Sequence, residues 1–146
     1  MYHYTGCGLR NVWLTNGYHT RLTPYGEGVV IEDVLGLHRA IGSCLISNRK
    51  RLTGAEFRFL RKEQEISQKR LGEILGADAQ AIARWETGKT SVPKWADHFA
   101  RVLYHEYVSG DGTVRNVIEK LNTLDAHEHA KLRFRREGQD WRAKAA

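Results

Sequence analysis

Hydrophobic positions along this chain change period twice, and each change predicts a different kind of element. In the first third, short apolar runs are broken by turn residues. Val12-Trp13-Leu14 and Tyr18-His19-Thr20-Arg21-Leu22 flank Asn16-Gly17, a dipeptide whose tolerance of positive φ suits a tight hairpin. Gly28-Val29-Val30-Ile31 predicts another strand. From Asp33 the spacing of Val34, Leu37, Ala40, Ile41 and Leu45 becomes helical. Residues 1–48 thus read as a small α/β element, followed by the polar basic connection Ser47 to Leu52.

The middle of the chain is helical throughout. Thr53 can cap a helix running from Gly54 to about Gln64, with Glu56 at the end that favours acidic residues. Phe57 and Leu60 face inward there, with Phe59 a further candidate. In SQKRLGEILGADAQAIARWETG, residues 67–88, Leu71, Leu75, Ile82 and Trp85 recur at helical spacing and face one core. Gly72 removes bulk where the second helix approaches the first, and Gly76 ends the first helix with a left-handed residue. Asp78 then caps the next helix. A plain αα-hairpin needs the apolar positions but not these three residues together, so the spacing predicts a helix-turn-helix. Its helices run from Gln68 to Leu75 and from Ala79 to about Glu86, and Gly88 ends the second.

Pro93 suits the first turn of the next helix, whose apolar face is Trp95, Phe99, Val102, Leu103 and Tyr107. Gly110 and Gly112 break it, and Val114, Val117, Ile118, Leu121 and Leu124 predict one more helix. In the tail, Leu132 and Phe134 alternate with Lys131, Arg133 and Arg135, and EGQD reads as a turn before Trp141. A terminal β-hairpin competes there with a disordered basic tail, and Leu132, Phe134 and Trp141 favour the hairpin. The expected fold is mainly α. It comprises an N-terminal element over 1–48, a five-helix domain over 53–125 and a basic tail over 126–146 whose hairpin is a candidate for dimerisation.

Composition changes this picture only modestly. The net charge is +6, and residues 1–48 are neutral, whereas 49–110 hold twelve basic against eight acidic side chains. A basic surface attracts phosphate by counterion release, without reading sequence. Cys7 and Cys44 form no CxxC pair and read as reduced thiols of a cytoplasmic protein. No apolar run approaches a membrane span, and MYHYTGCGLR lacks a signal-peptide core. A Gly-rich phosphate loop, HExxH, GxSxG and a spaced carboxylate pair are all missing, so an enzyme is not expected. Glu27, Glu32 and Asp33 are explained by a turn and a helix start.

The run from Leu52 to Pro93 resembles the Cro/C1-type (XRE) helix-turn-helix family, and within it the DNA-binding half of MqsA-type antitoxins. The carrying motifs are GxEFRFLRK at Gly54–Lys62, SQxxLxxxLG at Ser67–Gly76 and RWExG at Arg84–Gly88. The resemblance implies a five-helix DNA-binding domain, a homodimer, and repression at palindromic operators that often include the protein's own promoter. Antitoxins of that type carry two zinc-holding CxxC pairs, which this chain lacks. No metal or other cofactor is expected, and His127-Glu128-His129 reads as solvated histidines.

On double-stranded DNA the second helix of the motif should enter the major groove with its N-terminal residues at base edges. Gln80 suits adenine and Arg84 guanine, each in bidentate fashion, while Ala79, Ala81 and Ala83 let the helix sink close. The alternative for Arg84 is a surface ion pair with Glu86 or a phosphate contact, and for Gln80 an idle solvated side chain. Candidate phosphate contacts are Gln68 at a helix start, with Lys69, Arg61, Lys89, Thr90 and Lys94. Trp85 could stack on bases, but its phase with Ile82 assigns it to the core. The leading expectation is a homodimeric transcriptional regulator. The alternative is an antitoxin that neutralises a partner toxin through residues 1–48 or 130–146.

Overall fold

A computed structural model describes residues 1–47, 50–124 and 132–143, with the side chains of 122–124 left aside. The His127-Glu128-His129 cluster and Lys131 lie outside the described residues. Six helices dominate, and the mainly α expectation holds. Four short strands come first: β1 (Tyr2–His3), β2 (Trp13–Leu14), β3 (Tyr18–Thr23) and β4 (Gly26–Ile31). Helices α1 (Val34–Ser47), α2 (Gly54–Glu63), α3 (Gln68–Leu75), α4 (Ala79–Thr87), α5 (Lys94–Ser109) and α6 (Thr113–Leu124) follow. Strands β5 (Phe134–Glu137) and β6 (Asp140–Ala143) close the chain as an antiparallel hairpin around Gly138.

The N-terminal strands pair differently from the expected hairpin. Trp13–Leu14 pairs with Tyr2–His3, not across Asn16-Gly17. The true hairpin joins β3 to β4, with Tyr18 opposite Ile31 and Thr23 opposite Gly26. Its turn is Pro24-Tyr25, where Thr23 Oγ1 accepts from the Tyr25 N–H and donates to the Gly26 carbonyl. Gly17 does adopt positive φ (77°), but its carbonyl accepts from the Glu32 N–H and closes the far end of that hairpin. A turn-forming dipeptide sets the local backbone; the partner strand is a tertiary choice.

Local signals set the helix ends as expected. Thr53 and Glu56 form a reciprocal capping box at α2 and Asp78 caps α4, while Ser67 caps α3, a role not assigned to it above. Gly76 and Gly88 end α3 and α4 in the left-handed conformation. Gly72 matters for a reason one step removed from helix–helix approach: a Cβ there would collide with the Ala77 carbonyl of the turn itself. Gly54 likewise leaves room for the Trp85 carbonyl.

One core runs through the molecule. Phe57, Phe59, Leu60, Leu71, Ile74, Ile82, Trp85, Ala96, Ala100, Leu103 and Tyr104 are buried together, with Leu9 and Leu45 joining from the N-terminal third. Gly42 on α1 meets the Tyr104 hydroxyl end directly. The α5 face is rotated from the expected one: Trp95, Val102 and Tyr107 are about half exposed, while Ala96, Asp97, Ala100, Leu103 and Tyr104 point inward. Small residues permit close approach, and Asp97 fits because it is fully paired. It accepts from the Leu52 N–H (2.6 Å) and from Arg101 Nε (2.7 Å), while Arg101 Nη1 donates to the Leu45 carbonyl (3.0 Å). Burial alone would raise the Asp97 carboxyl, but these hydrogen bonds and the Arg101 charge outweigh it and hold it below the ordinary carboxylate value.

Candidate nucleic-acid interface

The interface is built on α4, and three side chains from three elements hold that helix in place. Glu86, near its C-terminal end, has a side chain only 2% exposed. Arg61 of α2 donates to it from Nε (2.7 Å) and Nη2 (2.9 Å), and Gln68 of α3 donates from Nε2 (3.1 Å). Arg61 also donates from Nη1 to the Ile66 carbonyl (2.9 Å) in the α2–α3 connection. A bidentate pair this deep is tolerated because each of its nitrogen and oxygen atoms has a hydrogen-bond partner. Trp85 sits beside it at 7% exposure, edge-on to Phe57 and to Trp95 with ring centroids 5.8 Å away in each case. It is a core residue.

This clamp redistributes the expected roles. Arg61, a candidate phosphate contact, spends its guanidinium on Glu86 and Ile66 and is only 10% exposed. Gln68 is half-buried and its amide is likewise engaged with Glu86, which leaves its position at the start of α3 rather than its side-chain donor facing outward. Glu86 is therefore not the partner of Arg84. The motif RWExG made Glu86 visible, but its partner lies 25 positions upstream, and no local pattern connects the two.

What remains outside is a compact set. Gln80 and Arg84 are exposed, one helical turn apart on α4, and neither side chain has a hydrogen bond or ion pair with another described residue. Ala79, Ala81 and Ala83 flank them, each half-buried, and the Ala81 N–H is taken by the Asp78 cap (2.7 Å). Side chains at i and i+4 lie on one face, so the amide and the guanidinium share a face of α4, while Ala81 packs against the core. Lys69 on α3, Lys89 and Thr90 after α4, and Lys94 at the start of α5 are all exposed. The Lys89 and Thr90 amides fold back onto the Arg84 carbonyl (3.0 and 3.4 Å), which fixes the loop that carries them.

Both cysteines are free, Cys7 half-buried and Cys44 exposed. Among the described residues no group of three or more His, Cys, Asp or Glu side chains could hold a metal ion. No described helix is long and apolar enough to cross a membrane.

Residues 57–94, from α2 to the first residue of α5, match the model of a family described as Helix-turn-helix. That match supports a Cro/C1-type helix-turn-helix, a DNA-binding regulatory module, and it gives the likeness to MqsA-type antitoxins no support. No curated protein and no solved structure matches the chain.

Proposed function

We propose that this chain is a sequence-specific transcriptional regulator, a homodimeric autorepressor that binds a palindromic operator in double-stranded DNA through α4. The observation that carries the reading is the division of labour around that helix. Its inner face is locked by Glu86 on Arg61 and Gln68, while Gln80 and Arg84 stand exposed and unpaired among small residues. A rigid helix with free bidentate groups is what direct readout in a major groove requires. In this reading Arg84 takes a guanine edge, Gln80 an adenine edge, and Ala79 and Ala81 approach thymine methyls. Lys69, Lys89, Thr90 and Lys94 neutralise flanking phosphates, and the first amides of α3, opened by Gln68, face one more.

Dimerisation follows from specificity. One recognition helix reads only a few base pairs, and two half-sites about one helical turn apart multiply the discrimination. No feature of the fold favours toxin neutralisation over regulation.

The test is selection of double-stranded DNA from a random pool by the full chain, followed by footprinting on the enriched sequence and on the gene's own upstream region. Arg84→Ala should cost about 1–3 kcal/mol on the enriched site and relax preference at one base, whereas Lys89→Ala should weaken all sequences and lower the salt slope by about one. Equal losses on enriched and random DNA for Arg84→Ala would sink the direct-readout assignment.

A further inference from the structure

Residues 132–143 hold four arginines, Arg133, Arg135, Arg136 and Arg142, against Glu137 and Asp140, and no lysine. The ladder sets Phe134 opposite Ala143, Arg135 opposite Arg142, Arg136 opposite Trp141 and Glu137 opposite Asp140. Directly opposed residues share a face. One face therefore carries Phe134, Arg136, Trp141 and Ala143, with the Arg136 guanidinium 5.7 Å from the Trp141 ring centre. The other carries Arg135, Arg142, Glu137 and Asp140, where Arg142 pairs with Glu137 at 3.3 Å.

Every residue of both strands is exposed. A lone two-stranded hairpin is marginal in water, and two arginines placed directly opposite each other weaken it further. An anionic surface relieves both conditions. Guanidinium groups match phosphate and carboxylate oxygens alike in bidentate fashion, and the helix-turn-helix on the same chain selects the phosphates of double-stranded DNA between the two. A twofold contact between copies would instead set this positive hairpin against itself.

We propose that β5–β6 is a second DNA-binding element, a ribbon that lies against double-stranded DNA beside the site read by α4 and neutralises its phosphates through Arg133, Arg135, Arg136 and Arg142. This rests on the double-stranded DNA reading above. A two-stranded ribbon is of a size that a major groove admits. Two contacts on one chain raise avidity without adding sequence preference.

The experiment compares the full chain with R133Q/R135Q/R136Q/R142Q and with the matching all-lysine variant, on both enriched and random double-stranded DNA. At about 150 mM salt the glutamine variant should lose at least ~10-fold in affinity on both DNAs, and its salt slope should fall by about three to four. The lysine variant should keep the slope, and sedimentation and thermal unfolding should match the parent for both. Unchanged affinity and slope in the glutamine variant, with the parent still binding, would overturn the ribbon alone. A smaller sedimenting species would overturn it in favour of an interface between copies. A parent chain that binds no double-stranded DNA would overturn both readings.

Discussion

The α2–α5 bundle and the terminal hairpin both use tryptophan and arginine, Trp85 and Arg61 in one and Trp141 and Arg136 in the other, but in opposite ways. In the α2–α5 bundle, Trp85 is 7% exposed between Phe57 and Trp95, and the nearby Arg61 is locked on Glu86. In the terminal hairpin, Trp141 is 66% exposed and Arg136 lies over its ring. What differs is the number of layers. Trp85 lies at a helical phase shared with Ile82, and α2 and α5 cover it; the hairpin's ladder satisfies its own backbone, and every strand residue stays exposed. Tryptophan and arginine thus serve stability where a second layer dehydrates them, and form a contact surface where none does.

The sharpest way to break the bundle is to orphan its buried charge. Glu86→Ala leaves Arg61 unpaired and should cost about 3–5 kcal/mol in urea unfolding, with DNA binding lost alongside because α4 is no longer held. Asp97→Ala removes the partner of Arg101 and of the Leu52 N–H, and should cost about 3 kcal/mol. The sign of its pH dependence is fixed by direction. The folded carboxyl titrates below the unfolded one, so its stabilisation is present above the ordinary value of 3.8 and is lost as pH falls through the folded value. Acid unfolding curves of Asp97→Asn should therefore be shallower below about pH 4 than those of the parent.

Backbone packing comes next. Gly72→Ala drives a methyl into the Ala77 carbonyl and should cost about 1–3 kcal/mol, measured by thermal unfolding. At the other end of the comparison, Trp141→Ala should move global stability by less than ~0.5 kcal/mol, because the ring is 66% exposed and carries only the Arg136 guanidinium of its own hairpin among the described residues. A loss of more than ~2 kcal/mol for Trp141→Ala would show that the hairpin packs on the body and erase the contrast.

Legibility in the sequence follows the range of each interaction. The caps Thr53 and Asp78, Glu56 in the first turn of α2, and Gly76 and Gly88 at the helix ends act within a few residues, and all were readable. The terminal hairpin was readable too, because EGQD is a turn and its strands pair across it. The face of α5 was not, since hydrophobicity alone selects Trp95, Val102 and Tyr107, whereas Asp97 could turn inward only once Arg101 and the Leu52 amide were there to receive it. The partner of Trp13–Leu14 was missed for the same kind of reason: the Tyr2–His3 strand lies across a long loop whose turn at Thr5–Gly8 is not a two-residue hairpin and does not fix the pairing.

By itself, then, the sequence determined the helix-turn-helix, its caps, the burial of Trp85, and the exposure of Gln80 and Arg84, because helical phase and local hydrogen bonds are encoded within one or two turns. Only the tertiary structure decided that Arg61 and Gln68 serve Glu86 and that α5 turns its small residues inward. Those outcomes depend on desolvating charges against partners 18 to 45 positions away, and a buried charge commits to a partner only when the fold has removed the water that would otherwise solvate it.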